Sequence, residues 1–171
     1  MIIRRTVLVL LSAAFLACRG ESEAAGDVAS PLMTFDTARV RLVSKTDTIS
    51  LVVELARTAN QKTMGLMERL HLSDSAGMLF LYDSTQPATA GFWMFRTRIP
   101  LDIAFLDSAG VIRSIRHMEP CQTATAGQCP TYTPDVPYRA ALEVNAGFFA
   151  TRRVVIGDRV LLADTVRAIV R

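Results

Sequence analysis

The sequence predicts a mainly β domain of the α+β kind: a compact antiparallel, barrel-like sheet with one or two short helices on its flank. Three observations carry this. Short runs rich in β-branched and aromatic residues recur from residue 38 to residue 162. Polar or glycine-bearing turns separate them. Only two stretches carry helix signals instead. Strand order is not legible in such a pattern.

In chain order, residues 38–43 and 48–56 flank Ser44-Lys45-Thr46-Asp47 and read as a hairpin. A helix is expected over 59–68, because Thr58 and Gln61 have the form of a capping box and Leu66, Met67 and Leu70 extend an apolar stripe. Strands follow over 77–82, 91–95 and 101–106. Asp107-Ser108-Ala109-Gly110 makes a tight turn into another strand over 111–118. Residues 138–144 and 159–162 are further strands, and 165–170 can pair back as an edge strand. Asn145 is placed to cap a second short helix over 146–152.

The start of the chain has a different character. Arg4 and Arg5 precede an apolar run that ends at Phe15-Leu16-Ala17-Cys18, so residues 1–17 read as a signal peptide and Cys18 as a lipidation site. The run is about half the roughly 20 residues a transmembrane helix needs. Phe15 stands where lipoprotein sites usually carry Leu, and ordinary secretory cleavage after Ala24 or Ala25 is the competing reading. Residues 18–32 are polar and small, a flexible tether, and 33–171 form a single globular β-rich domain. The chain is therefore expected to be exported and lipid-anchored in the bacterial cell envelope, facing periplasm or exterior.

Removing the leader changes the charge argument. The whole chain has 19 basic and 16 acidic residues; without Arg4 and Arg5, 17 basic residues remain and the net charge falls from +3 to +1. No basic cluster interleaved with aromatics survives, so no nucleic-acid partner is expected.

One segment could carry chemistry. Residues 91–102 hold Trp93, the only tryptophan, with Arg96, Arg98 and Asp102 between apolar strand residues. Asp102 shares a strand face with Ala104 and Leu106, and Glu143 and Glu54 are likewise embedded among apolar neighbours. A carboxylate in such a place is costly unless paired or hydrogen-bonded. Either two of these acids converge beside Trp93 as an acid/base pair or a ligand site, or each neutralises an arginine such as Arg69, Arg96 or Arg98.

The ordered set Ala56-Arg57-Thr58, Met64-Gly65-Leu66-Met67-Glu68-Arg69, Gly77-Met78-Leu79-Phe80, Phe92-Trp93-Met94 and Ile99-Pro100-Leu101-Asp102 resembles the bacterial and archaeal domain of unknown function 192. Cys121, Cys129, Tyr132, Leu142-Glu143-Val144, Ala146-Gly147 and Gly157-Asp158 extend the likeness, which spans about residues 51–162. Relatives usually show lysine and asparagine after Trp-Met, where this chain has Phe95 and Arg96. The resemblance implies a compact β-rich domain, often exported, with no established activity.

Cys121 and Cys129 enclose a short polar loop and are expected to form a disulfide in an oxidising compartment. Redox exchange would favour Cys-x-x-Cys spacing, which is missing. Met64, Met67, Met78, Met94 and Met118 are soft candidate ligands for copper(I), but their spacing suits core packing better, and no metal or cofactor is expected. No nucleophile-elbow, phosphate-loop or dinucleotide motif is present.

The leading expectation is a non-catalytic envelope module that binds a small polar ligand or an envelope protein. Its candidate site is Trp93, Asp102 and Glu143, with Glu54, Arg69 and Arg96 nearby. The alternatives are a carboxylate-dependent hydrolase acting on envelope glycans and a purely structural or assembly accessory.

Overall fold

The computed structural model describes residues 33–161. The leader, the tether, Cys18 and the strand expected over 165–170 lie outside the described residues.

Among the described residues nine strands and two short α-helices follow one another as β1 (Asp36–Val43), β2 (Thr48–Ala56), α1 (Ala59–Met64), β3 (Ala76–Gln86), β4 (Phe92–Trp93), β5 (Leu101–Leu106), β6 (Ile112–Met118), β7 (Thr131–Tyr132), β8 (Tyr138–Asn145), α2 (Phe148–Thr151) and β9 (Arg159–Leu161). Seven of the strands form one sheet in the order β6-β5-β8-β3-β2-β1-β9, while β4 and β7 pair separately. Pairing is antiparallel except between β2 and β3, whose parallel register needs the long crossover containing α1.

The sheet curls into a half-barrel whose ends touch. Arg159 of β9 bridges to Val111, just before β6. The Val160 amide donates to the Gly110 carbonyl and the Ile112 amide to the Asp158 carbonyl, both at 2.8 Å. The predicted fold class therefore holds, and the turn expected at 107–110 also helps to join the two ends.

Alternation along the strands sorts side chains onto two faces. One face buries Val40, Leu42, Leu51, Val53, Leu79 and Leu142. The other buries Met78, Phe80, Met94, Ile103, Phe105 and Met118 beneath the β4–β7 ribbon. Central strands are thus covered on both sides, and every residue of β5 is buried. In β2, by contrast, buried and exposed positions alternate over most of its length. Phe92 of β4 meets Phe80 edge-to-face at 4.9 Å and Phe105 at 5.6 Å, which seats the ribbon on the second core.

Three local expectations change. The helix expected to reach Glu68 stops at Met64, because Gly65 takes φ +48° as its C-cap. The loop beyond then docks through the Glu68 amide on the Arg96 carbonyl at 2.8 Å. The capping box itself forms, Thr58 Oγ1 accepting from the Gln61 amide at 3.2 Å and Gln61 Oε1 from the Thr58 amide at 3.1 Å. Asn145 is not a cap: it ends β8 and donates to the Leu72 carbonyl, while Gly147 at φ +78° opens α2. The strand expected over 91–95 shortens to two residues, paired with β7, which is too short to announce itself in sequence.

Cys121 and Cys129 form the expected disulfide, with Cα atoms 5.9 Å apart. Cys121 also bonds through its backbone to Met94 and Arg96, so the bridge braces the segment beside Trp93. Reduction is expected to cost about 2–3 kcal/mol, the entropy of so short a loop. Thermal unfolding with and without a thiol reductant checks this, and a midpoint unmoved by reduction would assign the bridge no stabilising role.

A candidate ligand-binding site over Glu143

Cross-strand register places Glu54, Met78, Glu143, Ile103 and Arg116 in one row on the face covered by the ribbon. Met78 and Ile103 are sealed beneath that cover. Glu143, between them, opens instead into a cavity of about 200 Å³. Lys62 and the residues after α1 form one wall, Phe92 and Trp93 of β4 another, and Phe80 and Tyr82 of β3 a third.

The Glu143 residue is 4% exposed, and among the described residues no hydrogen bond or ion pair reaches its carboxyl. Burial without compensation penalises the charged form, so its pKa is pushed up to about 8. At neutral pH the group is a protonated acid, able to donate as well as accept. Tyr82 is pushed upward as well, first by burial and then by Tyr138, whose ring meets it at 5.5 Å. The Lys62 ammonium lies 4.4 Å from the centroid of the Tyr82 ring. Burial lowers the Lys62 pKa, against a raising influence from Asp83.

Trp93 is 45% exposed and forms part of the cavity's rim. The structure therefore brings Trp93 and Glu143 together. Asp102 faces the opposite core, with Ala104 and Leu106. Its Oδ1 meets His117 Nδ1 at 2.9 Å and its Oδ2 accepts from the Gly147 amide at 2.9 Å, tying β5 to β6 and to the start of α2. His117 also reaches Glu119 at 3.0 Å, and the two carboxylates, Asp102 foremost, raise its pKa. Glu54 is held by Arg69 Nη2 at 2.6 Å. Arg96 and Arg98 both pair with Glu68 at the surface, which lowers the Glu68 pKa.

Arg96 has φ +57°, a left-handed conformation that asparagine tolerates better than arginine. The asparagine usual at this position in the resembling family is thus accounted for by backbone geometry, without invoking a ligand. Among the described residues no three His, Cys, Asp or Glu side chains gather as a metal-ligand set.

The DUF192 family model, described as "Uncharacterized ACR", matches residues 41–162. The chain belongs to the DUF192 family. Two solved structures share its fold. A presumptive transcription regulator from Sinorhizobium meliloti is 35% identical, with a TM-score of 0.67 over 75% of this chain and 95% of that one. A protein of unknown function from Novosphingobium aromaticivorans is 32% identical, with a TM-score of 0.67 over 81% of this chain and 94% of that one. No curated protein matches the chain.

Within this DUF192 domain, Lys62 and Tyr82 are site residues that sequence reading does not single out. Lys62 stands on the expected helix in a chain with only two lysines, and Tyr82 ends an expected strand run. Neither fact points to a cavity until the α1 crossover folds over β3.

Proposed function

We propose that this DUF192 domain is a non-catalytic small-ligand-binding module, tethered at the cell envelope through Cys18. The observation that carries the binding reading is the unpartnered Glu143 carboxyl at a cavity edged by Trp93. A buried polar group without a partner is costly, and a ligand that satisfies it recovers that cost on binding. Glycan hydrolysis would call for two carboxyl groups facing one substrate, whereas among the described residues Glu143 is the single carboxyl lining this cavity. The regulator label on the Sinorhizobium meliloti relative would bring nucleic acid to this chain. The near balance of 17 basic and 16 acidic residues after the leader favours a small ligand instead.

A thermal-shift panel of small polar compounds tests the binding reading. A compound at about 100 times its Kd adds about 2.7 kcal/mol, enough to raise Tm by several degrees. Trp93→Ala should abolish the shift, and a hit that survives this change would place binding elsewhere. For the anchor, the expected result is fatty-acid labelling of the chain in cells that disappears in Cys18→Ser. Labelling retained in that variant, or absent from the native chain, rules the anchor out.

A further inference from the structure

We propose that the Glu143 cavity takes a small monocarboxylate with an apolar body, its carboxylate accepting a hydrogen bond from the Glu143 carboxylic acid while Lys62 supplies the counter-charge. This rests on the binding reading above and names the ligand class of the same site.

Three observations converge on an anion. Among the described residues lining the cavity, only Lys62 is charged at neutral pH once Glu143 is protonated. The Lys62 ammonium lies over the Tyr82 ring, so a cationic ligand would meet the chain's own cation at that wall. A ligand ammonium would find in the neutral Glu143 an acceptor oxygen but no counter-charge, and would lie in the same cavity as the Lys62 cation. The remaining walls, Phe80, Phe92, Trp93 and Met64 among them, suit a hydrocarbon body. A cavity of about 200 Å³ limits that body to a short chain or a single ring.

Other charges are already engaged. The Glu54–Arg69 pair lies in the same row beyond Met78. On the other side, beyond Ile103, Arg116 pairs with Asp135 at 2.7 Å. Tyr82 stays protonated throughout the working range. Asp83 acts on Lys62 alone among the groups facing the cavity. Glu143 and Lys62 are therefore the groups whose protonation sets ligand affinity.

The test is calorimetric titration of the full chain with hexanoate, hexanamide and hexylamine, which share one body and differ in the head group. Hexanoate is expected to bind at pH 6 at least tenfold more tightly than hexylamine. Its affinity should fall about tenfold by pH 9, as Glu143 loses its proton. Glu143→Gln keeps an N–H donor, so hexanoate should still bind, and its affinity should fall less between pH 6 and pH 9 than in the native chain, leaving only the share that Lys62 contributes. Lys62→Met should weaken hexanoate about tenfold and leave hexanamide unchanged.

Tighter binding of hexylamine would overturn the carboxylate assignment while leaving a ligand cavity in place. A pH dependence as steep in Glu143→Gln as in the native chain would overturn the donor role of Glu143. Failure of all three probes, with hits of another class in the thermal-shift panel, would sink the carboxylate alone. Silence in both experiments would sink the site.

Discussion

Glu143→Gln is expected to remove a loss of stability that the native chain shows as pH rises from about 5 to about 8. The carboxyl titrates near 4.5 when exposed and at about 8 in the folded chain. Between those values the folded state holds a proton that the unfolded state has released, so stability falls with rising pH. Below the window both states are protonated and nothing is lost. Above it both are ionised, and the folded chain carries the cost of a buried charge with no partner among the described residues, on the order of 5 kcal/mol. Glutamine has the same shape and no charge, so the variant should match the native chain at pH 5 and exceed it at pH 9.

Urea unfolding of both proteins at pH 5, 7 and 9 measures this. His117 also contributes, since its raised pKa gives stability that is present below its unfolded value and lost as pH rises through the folded one. That contribution is common to both proteins and cancels in the comparison. Parallel pH curves for the two would mean that the Glu143 carboxyl is solvated or paired in solution.

The second large effect is expected at Gly110. It has φ +76°, and a Cβ built there would lie 2.3 Å from the Val160 carbonyl oxygen. Gly110→Ala therefore adds left-handed strain of about 1–2 kcal/mol to overpacking of about 1–3 kcal/mol. A total loss of about 3 kcal/mol should appear in urea unfolding. Gly127, whose added Cβ would meet nothing within 4 Å, is the control, and its alanine variant should stay within about 0.5 kcal/mol of native. Equal costs at the two positions would show that the contact joining β9 to the start of β6 does not constrain the chain.

Both effects arise where residues distant in sequence meet, and this marks the limit of what the sequence discloses. Strands with strong local signals were legible. Residues 48–56 and 101–106 read as strands and form β2 and β5 with those bounds. The Thr58–Gln61 box predicted a real helix start, because capping is settled within four residues. The helix end was not legible. Its apolar stripe runs past Gly65, but Leu66 is buried by packing on the second core after the helix has ended.

The candidate site divides in the same way. Embedded acids were visible as anomalies in apolar runs, and Asp102 and Glu143 stood foremost beside Trp93 with Glu54 nearby, but nothing in the sequence told these acids apart by partner. Only register and cover distinguish them. Glu54 meets Arg69 of the β2–β3 crossover, and Asp102 turns inward to His117 and the Gly147 amide. Glu143 has no partner among the described residues and faces the space that α1 and β4 enclose. Arg96 read as a candidate ligand contact, but its left-handed backbone and its pairing with Glu68 make it part of the surface.

The sequence by itself determined the β-rich class, the strand runs, the cap of α1, the cysteine pair and the acids worth watching. Each depends on residues close together in the chain or on composition. Tertiary structure alone decided the strand order, the parallel β2–β3 step, the meeting of the sheet's two ends and the acid that lacks a partner. Those outcomes depend on which distant backbones share hydrogen bonds and which side chains are shut off from water. A one-residue step along β8 separates Glu143, facing the cavity, from Val144 in the opposite core.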